Sequence, residues 1–262
     1  MENNTQRIGP LFRLDGRVAL ITGASKGIGE AMARGMAELG AKVVISSRKQ
    51  EAVDEVAASF QADGLEAVGI ACHVGKEEQC QQLIDQSMEK YGRIDILINN
   101  AATNPVFGPI AETDQAVFDK IMHVNVKAPF QLSNLAYPIM KQQGAGSIIH
   151  IASVEGLKPS AGLGLYSVSK AALIMLTQSQ AKEWGPDNIR VNAICPGLIK
   201  TKFSSALWKN ESVLKHVEKQ LPSRRIAQPD EMAGLAVYLA SDASSYCTGS
   251  VFTADGGHMI TG

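Results

Sequence analysis

Short runs rich in β-branched residues alternate along this chain with longer runs of helical periodicity. "RVALIT", "KVVISS", "EAVGIAC", "IDILINN", "GSIIHIAS", "IRVNAI" and "VFTADGG" read as strands, and amphipathic stretches such as "IGEAMARGMAELG" and "EEQCQQLIDQSMEKYG" separate the first six. The strand runs are apolar throughout, without the alternation of a half-exposed sheet, which marks strands covered on both faces. Strand, helix, strand, repeated, predicts right-handed crossovers and an α/β fold with a parallel sheet between two helical layers. No Pro/Gly/Ser-rich linker, composition break or repeat divides the chain, so residues 1–262 are expected to form one domain. Residues 1–14 read as an N-terminal extension and the least regular stretch, 198–222, as a flap.

The first strand runs into "TGASKGIG", whose Gly23, Gly27 and Gly29 stand at the mouth of a helix with Ser25, Lys26 and Ile28 between them. Glycine there lets the backbone turn sharply and approach a phosphate, while N–H groups at the helix start attract its charge. The spacing G-x-x-x-G-x-G departs from G-x-G-x-x-G, but its context of strand before and helix after is the required one. At the end of the second strand an NAD site places a carboxylate for the adenosine ribose. Here Ser47 stands near that place and Arg48 follows, with Lys26 able to reach the same side. Two cations and no anion favour NADP(H), since Arg offers planar, bidentate donors to a 2′-phosphate.

"YSVSK" puts the Tyr166 phenol and the Lys170 ammonium four positions apart at the start of a helix, one above the other on one face. Alone, such a pair is as well explained by a packed ring and a solvated charge. With "TGASKGIG", "NNAA" (Asn99 to Ala102), "NVKAPF" with Asn125, Ser153 and "PGLIKT" (Pro196 to Thr201) in the same order, the chain resembles the short-chain dehydrogenase/reductases from Asp15 to about Gly257. "SSRKQEAVDEV", "CHVGKEEQ", "NAATNPVFG" and "GLIKTKFSSALW" resemble more narrowly an NADPH-dependent branch reducing retinal, aromatic ketones and dicarbonyls. The resemblance implies a Rossmann-type doubly wound sheet of strand order 3-2-1-4-5-6-7 and a catalytic tetrad at Asn125, Ser153, Tyr166 and Lys170. It further implies cofactor contacts from Asn100, Ala101, Ala102, Pro196, Gly197, Ile199 and Thr201, and from Lys170 on the nicotinamide ribose. Where the family often has Asp then Val to touch the adenine amino group, this chain has His73 and Val74; a neutral imidazole nitrogen could accept that hydrogen bond.

In that chemistry a carbonyl receiving hydride needs a proton, and Tyr166 is the expected acid. Bringing its pKa from about 10 to near 7 takes about 4 kcal/mol. One ammonium about 4 Å away at an effective dielectric near 20 supplies roughly that much before desolvation is charged against it. For the substrate, Ser153, Glu155, Leu163, Phe203, Leu207 and Trp208 are the candidate contacts, and their mostly apolar character fits a hydrophobic or aromatic ketone or aldehyde. Lys200, Lys202 and Lys209 could instead guide a phosphopantetheine carrier, which keeps a 3-oxoacyl-acyl-carrier-protein reductase as the alternative. An NADP(H)-binding sensor without turnover would be expected to lack a tetrad member, and a sugar epimerase or dehydratase would need a larger C-terminal region.

Composition narrows the partners. A net charge of −1 over 262 residues gives no electrostatic case for nucleic acid or an anionic membrane. Cys72, Cys80, Cys195 and Cys247 are scattered without a C-x-x-C pair, as in a reducing compartment, and the five histidines show no metal-ligand spacing. No signal-peptide core or long apolar span is visible, so a soluble, cytoplasmic protein without a metal is expected. "AALIMLTQSQAKEW" is apolar beyond one stripe, and with the family's pairing of the helices carrying Asn125 and Tyr166 this implies a homotetramer.

Overall fold

The computed structural model describes residues 8–261. Each apolar run becomes a strand: β1 (Val18–Thr22), β2 (Lys42–Ser47), β3 (Ala67–Ala71), β4 (Ile96–Asn99), β5 (Gly146–Ile151), β6 (Ile189–Pro196) and β7 (Val251–Ala254). They form one seven-stranded parallel sheet of order β3-β2-β1-β4-β5-β6-β7. The helices are α1 (Ile8–Leu11), α2 (Gly27–Glu38), α3 (Gln50–Ala62), α4 (Glu77–Tyr91), α5 (Gln115–Met122), α6 (Ala128–Gln143), α7 (Gly164–Trp184), α8 (Ser205–Trp208), α9 (Glu211–Gln220) and α10 (Ala233–Ala240).

Alternate residues of one strand serve opposite layers, which is why the strands are apolar at every position. Ala19 and Ile21 of β1 pack with Met32, Met36 and Val237 on the α2 and α10 side, whereas Val18 and Leu20 pack with Leu83, Leu132 and Trp184 on the α4, α6 and α7 side. Of the expected N-terminal extension, residues 1–7 lie outside the described residues. Leu14 is fully buried in the first of these layers, so the last part of residues 1–14 belongs to the core.

The outer edge of β3 is covered by side chains. The Gln50 amide accepts from Ala71 N–H (2.9 Å) and donates to the Gly69 carbonyl (2.9 Å), and Gln61 donates to the Ala67 carbonyl (2.8 Å). These bonds occupy backbone groups that an exposed edge would offer to another strand. The stretch 198–222, read as irregular, holds α8 and α9, with Ile199 bridging to Ala227 at its base.

Gly69 shows how closely α3 lies on this edge, because a Cβ there would sit 2.7 Å from the Val53 carbonyl carbon and 2.8 Å from its oxygen. Gly69→Ala is therefore predicted to cost about 1–3 kcal/mol, the usual range for overpacking. Thermal unfolding should show a melting point several degrees lower; an unchanged melting point would mean that α3 moves away freely.

Candidate functional site

At the carboxyl ends of the strands, β1 and β4 are tied together at the point where the chain order reverses. The Thr22 hydroxyl accepts from the N–H groups of Asn100 (3.0 Å) and Ala101 (3.1 Å), and the Asn100 amide donates to the carbonyls of Thr22 (2.9 Å) and Gly23 (3.1 Å). Open α/β sheets bind ligands in the crevice at such a switch point. The crevice here is a cleft of about 2420 Å³, larger than the 300–1,000 Å³ or so of a drug-sized site and roomy enough for a dinucleotide and a substrate.

The glycine turn is shaped by two demands. A Cβ on Gly29 would lie 2.5 Å from both the Asn100 amide nitrogen and the Gly23 oxygen, and one on Gly23 would lie 3.0 Å from the Ala101 Cα. Gly23 is crowded by the Asn100 segment and Gly29 by that segment together with the turn's own backbone, reasons the sequence did not disclose. Gly27, at φ +64°, has only the Thr201 side chain near it, at 3.4 Å, so the turn is open on that side. Lys26 precedes α2 in extended conformation without a side-chain cap bond, so the first N–H groups of α2 have no side-chain acceptor from their N-cap. Ser25, Lys26 and Ile28 line the cleft, as do Ser47 and Arg48 from the end of β2. Among the described lining residues the carboxylates are Asp119, on α5, and Glu155, in the short turn Val154–Gly156 after β5, and neither follows β2 as Arg48 does.

His73 and Val74 continue the lining after β3. The His73 Nδ1 accepts from Gly75 N–H (3.1 Å), so the neutral ring carries its proton on Nε2. The expectation that this imidazole accepts a hydrogen bond from adenine is corrected, since its lone pair is already used. Asn100, Ala101 and Ala102 also line the cleft, and Asn99, one residue before them, is buried and donates to the Ser133 hydroxyl (3.1 Å). Pro196 at the end of β6 and Gly197, Ile199 and Thr201 beyond it form the next wall, where a Cβ on Gly197 would meet the Asp255 Cα at 2.7 Å.

Asn125 lies in a single π turn, His123–Lys127, between α5 and α6. It is buried and outside the cleft wall: its Oδ1 accepts from Thr103 N–H (2.8 Å), and its amide donates to the Thr103 carbonyl (2.9 Å) and the Ser169 hydroxyl (3.0 Å). It thereby joins the loop after β4 to the helix carrying Tyr166 and Lys170. Ser153, just past β5, Tyr166 and Lys170 all line the cleft.

The electrostatics around Tyr166 differ from expectation. Lys170 is 2 % exposed, its Nζ donates to the Ile151 carbonyl (2.7 Å) and stands 5.6 Å from the Tyr166 ring centroid. Burial pushes the Lys170 ammonium down to about 8 from an ordinary 10.5. Burial also pushes the Tyr166 phenol above its ordinary 10; the Ser153 hydroxyl opposes that rise, and the Glu155 charge adds to it. Burial thus moves the Tyr166 phenol up rather than down toward 7, because desolvation is the largest influence on it and the Ser153 hydroxyl opposes it only in part.

On the open side, the Phe203 ring lies 6.0 Å from that of Tyr166, tilted by 44°, and Leu163 and Leu207 extend the same wall. Glu155 reaches the lining, but its carboxylate is engaged by Ser160 N–H (2.8 Å), the Ser160 hydroxyl (2.7 Å) and the Ser167 hydroxyl (3.1 Å), so it braces the loop onto α7. Trp208 is corrected: it is absent from the cleft wall, donates its indole N–H to the Thr201 carbonyl (2.7 Å) and carries Lys200 and Lys209 over its ring. The sequence reading missed Phe107, set against Gly162, and Val213, Val217 and Gln220, which present one face of α9 to the cleft. Their i, i+4, i+7 spacing was a usable signal. Among the described residues no cluster of His, Cys, Asp and Glu could hold a metal, and no helix is long and apolar enough to cross a membrane.

Residues 23–259 match a family model described as enoyl-(acyl carrier protein) reductase. The chain is 44% identical over 244 residues to dehydrogenase/reductase SDR family member 4 of Oryctolagus cuniculus, covering 93% of this chain and 94% of that protein. A gluconate 5-dehydrogenase of Burkholderia cenocepacia, solved with NADP and tartrate, superposes with a TM-score of 0.93 at 34% identity, covering 96% and 98% of the two chains. A 7α-hydroxysteroid dehydrogenase solved with NADH and 7-oxo glycochenodeoxycholic acid superposes at 0.92, also at 34% identity, over 95% and 96%. With its sheet order, its switch-point crevice and these relatives, the chain belongs to the short-chain dehydrogenase/reductase family of oxidoreductases.

Proposed function

We propose that this chain, as one domain, is an NADP(H)-dependent reductase of a hydrophobic or aromatic ketone or aldehyde. The observation that supports it most is the gathering of Ser153, Tyr166 and Lys170 at one end of a cleft whose other end offers Lys26 and Arg48 and no adjacent carboxylate. The residues fit a phosphorylated dinucleotide: the start of α2 and its glycine turn would hold the pyrophosphate, and Ser47, Arg48 and Lys26 the 2′-phosphate. Bound there, the reduced nicotinamide supplies a hydride.

The Ser153 hydroxyl holds the carbonyl oxygen, and Tyr166 gives that oxygen its proton. A phenol raised by burial stays protonated at neutral pH, and the alkoxide it meets is a far stronger base than a phenolate. Lys170 would hydrogen-bond the ribose of a bound nicotinamide and balance the charge that develops on Tyr166. Asn125 fixes the Thr103 backbone and Ser169 around them and supports a water leading from Lys170 to solvent. Apolar walls from Leu163, Phe203 and Leu207 select an apolar substrate body. The acyl-carrier-protein alternative draws on the family model's description, but only Lys200 and Lys202 of its three lysines reach the cleft wall, and Lys200 also sits over Trp208. NADPH oxidation followed against ketones, dicarbonyls and acetoacetyl thioesters separates the readings: preference for the thioesters would reverse the choice, and no turnover would favour a sensor.

Val168 and Met175 on α7 and Phe118 and Phe130 on α5 and α6 are substantially exposed, as are Tyr246 and Ile260 beside β7. Two such apolar faces support a homotetramer. Light scattering at micromolar concentration should give about four times the chain mass of 27.9 kDa; a mass near that of one chain would remove the idea.

Tyr166→Phe keeps the ring and removes the proton, so reduction should fall at least about a hundredfold with the melting point nearly unchanged. Lys170→Met should abolish reduction without destabilising the coenzyme-free protein at pH 7. The buried ammonium, lowered from 10.5 to about 8, costs the fold on the order of 3 kcal/mol at pH 7. Against that stands about 1–3 kcal/mol for leaving the Ile151 carbonyl unpaired. The ammonium's cost is fully present below pH 8 and disappears by pH 10.5, because there the unfolded chain binds the extra proton. The melting-point advantage of the Met variant should therefore shrink over that window, and a variant several degrees less stable at pH 7 would contradict the account.

Cofactor choice is tested separately. NADPH should bind at least about tenfold more tightly than NADH, and Ser47→Asp with Arg48→Ile should erase or reverse this. Equal efficiency with both coenzymes in the unmodified chain would contradict the role given to Arg48 and Lys26.

A further inference from the structure

The sheet order puts the end of β3 beyond the end of β2, on the side away from β1. On the proposed reading, a dinucleotide with its phosphates at the start of α2 and its adenosine ribose beside Ser47 and Arg48 meets the end of β3 with its purine. That end of the cleft is lined by Cys72, His73 and Val74.

His73 is held there in one orientation. Its backbone N–H donates to Gln79 Oε1 (2.8 Å), its backbone carbonyl accepts from Lys76 N–H (2.8 Å), and its ring Nδ1 accepts from Gly75 N–H (3.1 Å). His123 Nε2 lies 2.9 Å from the Gly75 carbonyl, so both backbone groups of Gly75 are engaged by imidazoles. With Nδ1 committed as an acceptor, Nε2 carries a hydrogen and can act only as a donor. The side chain at this end of the cleft thus has a hydrogen-bond donor to offer and no acceptor.

We propose that His73 is a specificity-determining residue that withdraws selection for a 6-amino purine. The exocyclic amino group of adenine is itself a donor and gains nothing from a second donor, whereas the carbonyl oxygen of a 6-oxopurine accepts from one. The cleft should accordingly take a hypoxanthine dinucleotide at least about as well as the adenine form. This inference rests on the proposed use of NADP(H) and adds the chemistry of the base to it.

The test is direct binding, measured by calorimetry without substrate, of NADPH and of reduced nicotinamide hypoxanthine dinucleotide phosphate. His73→Asp is the informative variant: its carboxylate can still accept from Gly75 N–H, so the turn is kept while the donor becomes an acceptor, and circular dichroism checks the fold. One hydrogen bond is worth about fivefold in affinity. The unmodified chain should prefer NADPH by less than about fivefold, and His73→Asp should raise that preference by about fivefold or more. A larger preference in the unmodified chain, or a smaller change in the variant, overturns the assignment of His73 while leaving the reductase reading intact. If neither dinucleotide bound, the reductase reading would fall and this inference with it.

Discussion

The clamp between β1 and β4 is the constraint from which the site follows. Thr22 and Asn100 join the two strand ends through backbone and side chain at the position where the chain turns from building one half of the sheet to building the other. Gly29 can bear no side chain because the Asn100 amide and the Gly23 oxygen fill the space, and Gly23, at φ +65°, lies against Asn100 and Ala101. The same closeness fixes where α2 begins, and so where its unpaired N–H groups lie. A sheet buried on both faces has no room for polar chemistry along its strands, which leaves the strand ends to carry it.

A second balance governs the chemistry, between charge and burial. Lys170 is drawn into the protein by one carbonyl, and that costs stability, yet it holds an ammonium against a phenol that desolvation has made a weaker acid. Simple Coulomb arithmetic from the sequence counted the attraction and left out the desolvation, which works on both groups. Asn125 contributes from behind, through the Thr103 backbone and the Ser169 hydroxyl, and Lys170 is held by the Ile151 carbonyl.

The strands were legible because burial on both faces writes an unbroken apolar run, as Val18 to Thr22 shows. The clustering of Ser153, Tyr166 and Lys170 was legible from motif order. Orientation was not. Trp208 has the composition of a pocket wall, yet its indole turns to the Thr201 carbonyl, and Glu155 looks like a free charge until Ser160 and Ser167 are seen to occupy it. The donor character of His73 depends on the Gly75 N–H, which no residue pattern records. α9 was hidden by reading 198–222 as irregular, although Val213, Val217 and Gln220 already had helical spacing.

The central claim is that this cleft moves a hydride from NADPH to a carbonyl carbon. It is tested most directly with NADPH deuterated at the transferable position of the nicotinamide and a ketone that the chain turns over. The account predicts one deuterium on the carbinol carbon of the alcohol, none on its oxygen after exchange, and loss of the labelled product in Tyr166→Phe. Label released to water, or undiminished transfer in the Phe variant, would contradict it.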